Sequence, residues 1–294
     1  MSTTTVGFIG LGIMGGPMAG HLLEAGHRLC VQTRTASKAG ALVERGAELK
    51  ATAAEVAAAC EVVMLCVPDT PDVEGVLFGA GGVVEGARAG LIVVDHSTIS
   101  PEATRGFAQR LAERGVRLID APVSGGDVGA QRGTLSIMAG GDAEAFARVE
   151  PLLGCYGTAV RVGESGAGQA CKACNQLAGS AALIGVCEAV ALARSQGIDV
   201  GKMIEVVCGG ASASWMMENL GPRAAAGDDA PGFFVDYLVK DLRIVAEAAG
   251  GGGLELEGLA AVKRLFERAA AMGHGRDGTQ AVRHAVEGGE VSQR

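Results

Sequence analysis

The sequence predicts an α/β fold in which an N-terminal doubly wound domain is followed by an all-helical C-terminal domain. Over the first half of the chain, short β-branched runs alternate with alanine-rich stretches, which is the pattern of a parallel sheet covered by helices on both faces. After residue 163 no β-rich run follows, and apolar residues recur at helical spacing. We therefore expect residues 1–163 to form the first domain and residues 164–294 the second.

Six strands are predicted in the first domain, with helices between most of them. The strands lie at residues 6–10, 28–33, 62–67, 91–95, 117–121 and 135–139, and a helix follows the last one at 142–153. Helical spacing then continues in segments that begin near residues 168, 200, 236 and 254. Glycine-rich stretches at 209–210 and 250–253 mark breaks between these later helices.

The composition favours a small-molecule partner over nucleic acid or a membrane. The 294-residue chain carries a formal net charge of -8, and its Lys and Arg residues are scattered. Such a charge distribution gives no electrostatic attraction to nucleic acid or to an anionic membrane. The longest apolar stretch, at residues 177–193, is broken by Glu188 and falls short of the roughly 18 clean residues of a membrane span, so it predicts a buried helix.

Cysteine usage and the N-terminus predict a cytoplasmic protein. The eight cysteines lie mostly inside apolar segments, where a free thiol packs as a small hydrophobe in a reducing compartment. The first residues lack the basic segment of a signal peptide. Cys171 and Cys174 form a CxxC pair, but no second Cys or His pair stands at ligand spacing, so no metal site is expected.

A glycine motif near the N-terminus predicts a dinucleotide site. It follows the strand at 6–10, and Pro17 fits the first turn of the helix that comes next. In this motif the glycines permit a tight turn, close approach of the backbone to a pyrophosphate, and tight packing of helix on strand. A second match at 273–278 follows a helix-like segment and predicts only a loop. The predicted cofactor-binding residues of the first motif are Gly10, Leu11, Gly12, Ile13, Met14 and Gly15.

The residues after the second strand favour NADP(H) over NAD(H). An NAD site carries an acidic residue at this point for the ribose hydroxyl, and here there is none. Thr33, Arg34, Thr35 and Lys38 offer hydroxyls and cations instead, which suit the 2′-phosphate in charge and geometry. A solvated loop is the alternative interpretation, and NAD(H) stays open as a second cofactor.

Three further motifs, together with the glycine motif, resemble the β-hydroxyacid dehydrogenase family. They are Asp120-Ala-Pro-Val-Ser-Gly-Gly126, Gly166-Ala-Gly-Gln-Ala-Cys-Lys-Ala-Cys-Asn-Gln176 and Lys240-Asp-Leu242. The family includes 3-hydroxyisobutyrate dehydrogenase, tartronate semialdehyde reductase and glyoxylate reductase relatives, and the resemblance covers nearly the whole chain. It implies a Rossmann-type first domain, a second domain like that of 6-phosphogluconate dehydrogenase, and a homodimer or homotetramer.

The resemblance also implies a substrate site. Ser124, Gly125 and Gly126 would hold the substrate carboxylate, and a hydroxyl beside exposed N–H groups in a glycine-rich turn is chemically suited to an anion. An ordinary turn is the alternative for these three residues. By the same resemblance, a cluster on the helix that follows would act on the substrate, with Lys172 exchanging the proton of the reacting hydroxyl.

Asn175 and Gln176 stand three and four residues after Lys172, so on a helix the three share a face. The resemblance implies that they bind and orient the substrate; a lysine that reaches to water is the alternative for position 172. The remaining cofactor contacts carried over from the family are Val67, Pro68, Thr98 and Lys240. The first three follow strand ends at the carboxyl edge of the sheet, and an exposed ion pair is the alternative for Lys240.

Taken together, these motifs predict an oxidoreductase that interconverts a small 3-hydroxy acid and its semialdehyde. Tartronate semialdehyde (2-hydroxy-3-oxopropionate) reductase is the first candidate, because Gln176 and the segment 214–223 resemble that branch. 3-Hydroxyisobutyrate dehydrogenase and glyoxylate or succinic semialdehyde reductase are the alternatives. A nicotinamide-binding scaffold without activity is an alternative of another class, and the presence of Lys172 with Ser124 and Asn175 argues against it.

Overall fold

The computed structural model describes residues 3–288, so the outermost residues of both predicted domain ranges lie outside the described part. The chain divides into two compact units between Lys172 and Ala173. The boundary predicted after residue 163 comes just before a long helix, Ala167–Ser195, that begins in the first unit and continues in the second. The predicted domain ranges therefore stay a prediction.

The first unit is built on a nine-stranded sheet, and the first six strands have the doubly wound order. Strands β3, β2, β1, β4, β5 and β6 lie side by side in that sequence and are all parallel. The direction of the order reverses between β1 and β4, and ligands bind at the carboxyl ends of the strands at such a point. The nine strands are β1 (Thr5–Ile9), β2 (Arg28–Gln32), β3 (Glu48–Leu49), β4 (Val62–Leu65), β5 (Ile92–Asp95), β6 (Arg117–Asp120), β7 (Val123–Ser124), β8 (Leu135–Gly141) and β9 (Gly157–Gly163).

All six predicted strands are present, and the structure adds β3, β7 and β9. Strands β3 and β7 have two residues each, which is too short for a strand pattern to be recognised in the sequence. Strand β9 alternates half-buried and exposed residues, so it lacks the buried apolar run that marks the central strands. It pairs in parallel with β8, which itself runs antiparallel to β6 and β7.

Apolar side chains cover both faces of this sheet. Val62 and Met64 of β4 belong to one buried cluster, whereas Val63 and Leu65 belong to the other. Successive side chains of a strand point to opposite faces, so a strand buried on both faces must be apolar throughout. The helices that cover the faces are α1 (Gly15–Glu24), α2 (Gly40–Glu44), α3 (Ala53–Ala59), α4 (Thr70–Phe78), α5 (Val83–Gly86), α6 (Pro101–Ala112), α7 (Gly126–Arg132) and α8 (Ala143–Leu153), with a 3-10 turn at Ala36–Ala39.

The second unit is helical, as predicted. Among residues 173–288 the one β feature is a bridge between Phe234 and Gly278. Leu183, Leu242 and Phe266, from three different helices, pack in its core. Its helices are the greater part of α9 (Ala167–Ser195), then α10 (Val200–Cys208), α11 (Trp215–Ala226), α12 (Val235–Gly251), α13 (Glu257–Ala269) and α14 (Arg283–Val286), with a π turn at Ala270–His274 and a 3-10 turn at Thr279–Val282.

Helix α9 is long and apolar enough to cross a membrane by length and composition, and it is the one such helix among residues 3–288. Less than half of its most apolar segment is buried. Leu183, Val186 and Cys187 from that helix lie in the core of the second unit. A single helix of this kind is weak evidence for a membrane span, because core helices of water-soluble folds have the same composition.

Candidate active site

The glycine motif forms the turn between β1 and α1 at the switch point of the sheet. Gly10 has a φ of 94°, a conformation that only glycine adopts readily. A Cβ on Gly10 would fall on the carbonyl oxygen of Cys66, which follows β4, and a Cβ on Gly15 would fall on the carbonyl oxygen of Gly10. The close approach of strand, turn and helix therefore requires glycine at both positions.

Gly12, between these two, faces open space. A Cβ placed there would have no neighbour within 4 Å, and Gly12 and Ile13 are both exposed. The side chain of Leu11 packs in the sheet core, and Met14 at the start of α1 makes no side-chain capping hydrogen bond among the described residues. The N–H groups of a helix start attract anions, so this cradle fits the pyrophosphate of a dinucleotide.

The loop after β2 lies next to the cradle. The N–H of Gly10 donates to the carbonyl oxygen of Gln32 at 2.9 Å, which holds the end of β2 beside the turn. Arg34 then extends into solvent with its side chain 80% exposed, and its Nη1 lies 3.5 Å from the carboxylate of Asp72. Thr33 is half-buried, whereas the other predicted members of this loop, Thr35 and Lys38, are exposed.

The segments after β4 and β5 are joined by Ser97. Its Oγ accepts from the N–H of Val67 at 3.0 Å, and its own N–H donates to Oδ1 of Asp95 at 2.8 Å. Pro68 is exposed and Thr98 is half-buried. Val67 and Pro68, after β4, and Thr98, after β5, thus lie at the carboxyl edge of the sheet, and β4 is the neighbour of β1.

The turn at Ser124 opens into solvent. Gly125 and Gly126 have φ values of 134° and 64°, which favour glycine, and a Cβ on Gly126 would have no neighbour within 4 Å. Ser124 is half-buried at the end of β7 and pairs with Ser136 of β8. A serine followed by the N–H groups of two glycines, of which Gly125 is exposed and Gly126 half-buried, is a suitable binding site for a carboxylate.

Lys172 is 7% exposed, on the part of α9 that belongs to the first unit. The start of that helix is attached to β6 by Asp120, which is fully buried. Oδ1 of Asp120 accepts from the N–H of Gly166 at 2.8 Å, and Oδ2 accepts from the N–H of Gln169 at 2.9 Å. Burial raises the pKa of Asp120, and the hydrogen bonds from these two N–H groups oppose that rise.

The helix start also packs directly on the sheet. A Cβ on Gly168 would fall on the carbonyl oxygen of Met138 in β8 and 2.6 Å from that of Asp120. The side chain of Gln169 reaches the segment after β5, where it bonds to Ser97 and Ile99. Asp120 and Gln169 belong to the quoted motifs but were assigned no role from the sequence, although a polar residue in apolar surroundings is a signal that it has a buried partner.

Asn175, Gln176 and Lys240 lie in the second unit, where Asp241 joins them. Nδ2 of Asn175 donates to Oε1 of Gln176 at 2.8 Å, and Nε2 of Gln176 donates to Oδ2 of Asp241 at 2.6 Å. The ammonium of Lys240 lies 2.7 Å from Oδ1 of the same carboxylate, which is 2% exposed. The structure therefore brings these three predicted residues into one hydrogen-bonded chain, while the other predicted site residues lie in the first unit.

His96 is buried beneath the carboxyl edge and is held in place by two contacts. Its Nδ1 lies 2.7 Å from the carbonyl oxygen of Ala121, and its Nε2 lies 2.8 Å from the hydroxyl of Tyr156. Because the carbonyl can only accept, Nδ1 carries the proton and the tyrosine donates to Nε2. Burial lowers the pKa of His96 to about 4. These contacts indicate a structural role for His96.

In the second unit, Asp229, His274 and His284 offer three ligand atoms within 4.8 Å of one another. The carboxylate of Asp229 already accepts from the guanidinium of Arg283 at 2.9 Å and lies 3.0 Å from Nε2 of His284. The two imidazole rings stack face to face, with centroids 3.9 Å apart, so their nitrogens do not converge on one point. We assign no metal to this cluster, because a cation of the protein itself occupies it.

The comparisons with known proteins agree with this geometry. The family model for the NAD binding domain of 6-phosphogluconate dehydrogenase matches residues 5–164. The model described as NAD-binding of NADP-dependent 3-hydroxyisobutyrate dehydrogenase matches residues 166–285. The chain is 41% identical over 269 residues to 2-hydroxy-3-oxopropionate reductase of Escherichia coli (strain K12), and the match covers 91% of this chain and 92% of that one.

Two solved structures resemble the whole chain. Mycobacterium tuberculosis 3-hydroxyisobutyrate dehydrogenase with L-serine has a TM-score of 0.88 and 29% identity, over 97% of this chain and 99% of that one. Psf3 in complex with NADP+ and 2-OPP has a TM-score of 0.87 and 28% identity, over 96% and 99%.

A doubly wound sheet with a glycine cradle at its switch point, matched by these dehydrogenases, defines an NAD(P)-dependent oxidoreductase that acts on a CH–OH group. The chain belongs to the β-hydroxyacid dehydrogenase family, whose members act on small hydroxy acids. The predicted fold class and family are thereby confirmed, whereas the preference for NADP(H) stays a prediction.

Proposed function

We propose that this protein uses NADP(H) to interconvert tartronate semialdehyde and its 3-hydroxy acid, with Lys172 as the acid/base. The observation that carries the proposal is the placement of Lys172: a buried lysine on a helix whose first turn is fixed by Asp120 to the carboxyl edge of the sheet. A lysine held at the carboxyl edge of such a sheet, where ligands bind, is placed for acid/base work on a bound substrate. The similarity to a 2-hydroxy-3-oxopropionate reductase supports this choice of substrate.

In the proposed mechanism, the hydroxyl of Ser124 and the N–H groups of Gly125 and Gly126 donate to the substrate carboxylate. Asn175 orients the substrate through its side-chain amide. During reduction Lys172 gives a proton to the aldehyde oxygen and stabilises the negative charge that develops there; during oxidation it takes the hydroxyl proton. When bound in the glycine cradle, the nicotinamide cofactor would supply the hydride chemistry in either direction.

The proposed preference for NADP(H) depends on the loop after β2. Arg34 and Lys38 are exposed cations, and Thr33 and Thr35 add hydroxyls at the end of the strand. A guanidinium donates two parallel hydrogen bonds to a phosphate, which a ribose hydroxyl does not offer. The description of the second matching family model as NADP-dependent and the NADP+ named with Psf3 support this assignment.

The substrate is tested by measuring NADPH oxidation with tartronate semialdehyde, methylmalonate semialdehyde, succinic semialdehyde and glyoxylate. We expect the highest kcat/KM for tartronate semialdehyde. The highest value for methylmalonate semialdehyde would instead identify a 3-hydroxyisobutyrate dehydrogenase, the second candidate, which the named Mycobacterium tuberculosis structure favours. No turnover with any of the four would contradict the proposal.

The role of Lys172 is tested by Lys172→Ala. General acid/base catalysis contributes roughly 10²- to 10⁴-fold to a rate, so we expect kcat to fall by that factor while the Kd of NADPH stays within a few-fold. Lys202→Ala, which removes an exposed lysine from α10, is the matched control and should leave kcat unchanged. Loss of cofactor binding together with turnover would indicate a structural role for Lys172.

A further inference from the structure

Gln169 lies one helical turn before Lys172 on the same face of α9, and its side chain is 1% exposed. Its Nε2 donates to the carbonyl oxygen of Ser97 at 2.7 Å, and its Oε1 accepts from the N–H of Ile99 at 3.1 Å. A backbone carbonyl can only accept and an N–H can only donate, so the orientation of the amide is fixed. The side chain is therefore hydrogen-bonded to the backbone of the residue before Thr98 and of the residue after it.

The backbone of Gln169 is held as firmly as its side chain. Its N–H donates to the carboxylate of Asp120 at the end of β6, as does the N–H of Gly166. The first turn of α9 is thus attached to β6 through its backbone and to the segment 97–99 through one side chain. Removing the amide would release the second attachment and leave the first in place.

We propose that Gln169 is a positioning residue that fixes Lys172 relative to the segment 97–99. The inference rests on the proposed function, in which Lys172 exchanges the proton, and on the family resemblance, by which Thr98 contacts the cofactor. The position of a lysine amine depends on the position of the backbone that carries it. A displacement of about 1 Å at reacting groups lowers the rate on the order of 100-fold. The hydrogen bonds of Gln169 join the backbone that carries the acid/base to the backbone that contacts the cofactor.

The first test compares Gln169→Leu with the unchanged enzyme. Leucine has a similar volume and fits a helix, but it forms neither hydrogen bond. We expect kcat to fall by about 10- to 100-fold while the Kd of NADPH changes less than fivefold. Gln196→Leu, at an exposed position just after the same helix, is the matched control and should keep the original kcat.

The second test uses Gln169→Glu, which keeps the shape of the side chain. An ionised carboxylate cannot donate to Ser97, whereas a protonated carboxyl group donates to Ser97 and accepts from Ile99, which restores both bonds. We expect the ratio of kcat in Gln169→Glu to kcat in the unchanged enzyme to rise at least fivefold when the pH is lowered from 8.5 to 5.5. The same ratio for Gln169→Leu should stay flat over this range.

This rescue at low pH separates a positioning role from a merely structural one. The other charged groups around this helix start, Asp95, Arg105, Asp120, Arg161, Glu164 and Lys172, are common to all three proteins, so their titration cancels in the ratio to first order. Circular dichroism and thermal unfolding of each variant ensure that folded enzyme is compared. If Gln169→Leu does not fold, the pH dependence of Gln169→Glu alone tests the positioning role.

Three outcomes would overturn the inference: a kcat within twofold of the original in Gln169→Leu, a flat pH ratio for Gln169→Glu, or equal losses of kcat and NADPH affinity. Failure of the proposed function gives a different result. If Lys172→Ala turns over normally, the acid/base assignment is wrong whatever Gln169 does. If Lys172→Ala is inactive and Gln169→Leu is fully active, only the positioning role of Gln169 is wrong.

Discussion

Arg34 is the residue on which the proposed cofactor preference depends most. Its guanidinium is mostly in solvent and its contact with Asp72 is long, at 3.5 Å. Exposed ion pairs of this kind contribute little to stability. A phosphate dianion can therefore take the place of the Asp72 carboxylate at little cost, and charge is the main property that Arg34 adds to the loop.

We expect Arg34→Asp to reduce discrimination in favour of NADPH. Hydrogen bonds to charged groups contribute about 1.5–3 kcal/mol, which corresponds to a loss of about 10- to 100-fold in kcat/KM for NADPH, with a much smaller change for NADH. The measurement is the ratio of the two kcat/KM values. Arg114→Asp is the control, because it changes the net charge by the same amount at an exposed position just after α6 and should leave that ratio unchanged. If the ratio is also unchanged in Arg34→Asp, the proposed role of this loop is wrong.

The orientation of Asn175 follows from Asp241 by hydrogen-bond chemistry. A carboxylate only accepts, so Gln176 must turn its Nε2 toward Asp241 and its Oε1 toward Asn175. Asn175 then uses one N–H on Gln176 and presents its amide oxygen elsewhere. That oxygen is an acceptor, which suits a substrate hydroxyl.

At the scale of elements, the start of α9 is set by its contact with the sheet. Gly168 lies so close to β6 and β8 that a Cβ would overlap the carbonyl oxygen of Met138. Backbone oxygens in a sheet cannot move aside as a flexible side chain can, so any larger residue must push the helix away. Such a movement would displace the first turn of α9 and, with it, Lys172.

We expect Gly168→Ala to lower kcat at least tenfold, because the helix start has to shift to admit the methyl group. Gly185→Ala is a matched control on the same helix, since a Cβ there has no neighbour within 4 Å. The control should keep kcat and gain up to about 1 kcal/mol in unfolding free energy from the higher helix propensity of alanine. Equal activities of the two variants would show that the close contact does not position the helix.

The elements that the sequence predicts are those whose burial leaves a pattern. Strands β1, β2, β4, β5, β6 and β8 carry buried apolar runs, and the glycine motif marks the turn after β1. Strand β9 was not predicted, because none of its residues is fully buried and it begins and ends with glycine. The contacts of Asp120 and Gln169 escape it because their partners lie 46 to 72 residues away, where local spacing carries no information.

At the scale of the whole molecule, the fold class follows from two sequence patterns. β-Branched runs that alternate with alanine-rich stretches predict the sheet, and apolar residues at helical spacing predict the helical unit. The site is predictable in part. Motif resemblance supplies Lys172, Ser124 and Asn175, but it does not supply the hydrogen bonds that hold them, since these depend on how distant segments meet. Asp241 belongs to the quoted Lys240-Asp-Leu242 motif, but the contacts by which it joins Asn175 to Lys240 through Gln176 are visible only in three dimensions.

The pH dependence of stability is also a property of the whole fold, and His96 contributes to it. Burial lowers the pKa of His96 from 6.5 to about 4, so the folded state keeps it neutral while the unfolded chain gains a proton below pH 6.5. Stability is therefore present above pH 6.5 and is lost as the pH falls toward 4. Between pH 7.5 and pH 5.0 this loss amounts to about 2 kcal/mol.

We expect the unfolding free energy, measured with urea by circular dichroism, to fall by about 2 kcal/mol more in the original protein than in His96→Gln over that pH interval. The comparison removes the contribution of other titrating groups, including Asp120, whose pKa shifts upward. Parallel losses in the two proteins would mean that His96 takes up a proton in the folded state as readily as in the unfolded chain.

The glycine cradle between β1 and α1 is shaped by main-chain atoms, whereas the loop after β2 presents exposed side chains. Point substitutions at Thr33, Arg34, Thr35 or Lys38 therefore leave the turn geometry untouched, but replacement of Gly10 or Gly15 does not. Under the proposed role of this loop, an exchange of one nicotinamide coenzyme for the other requires new side chains in the loop alone and leaves the scaffold unchanged.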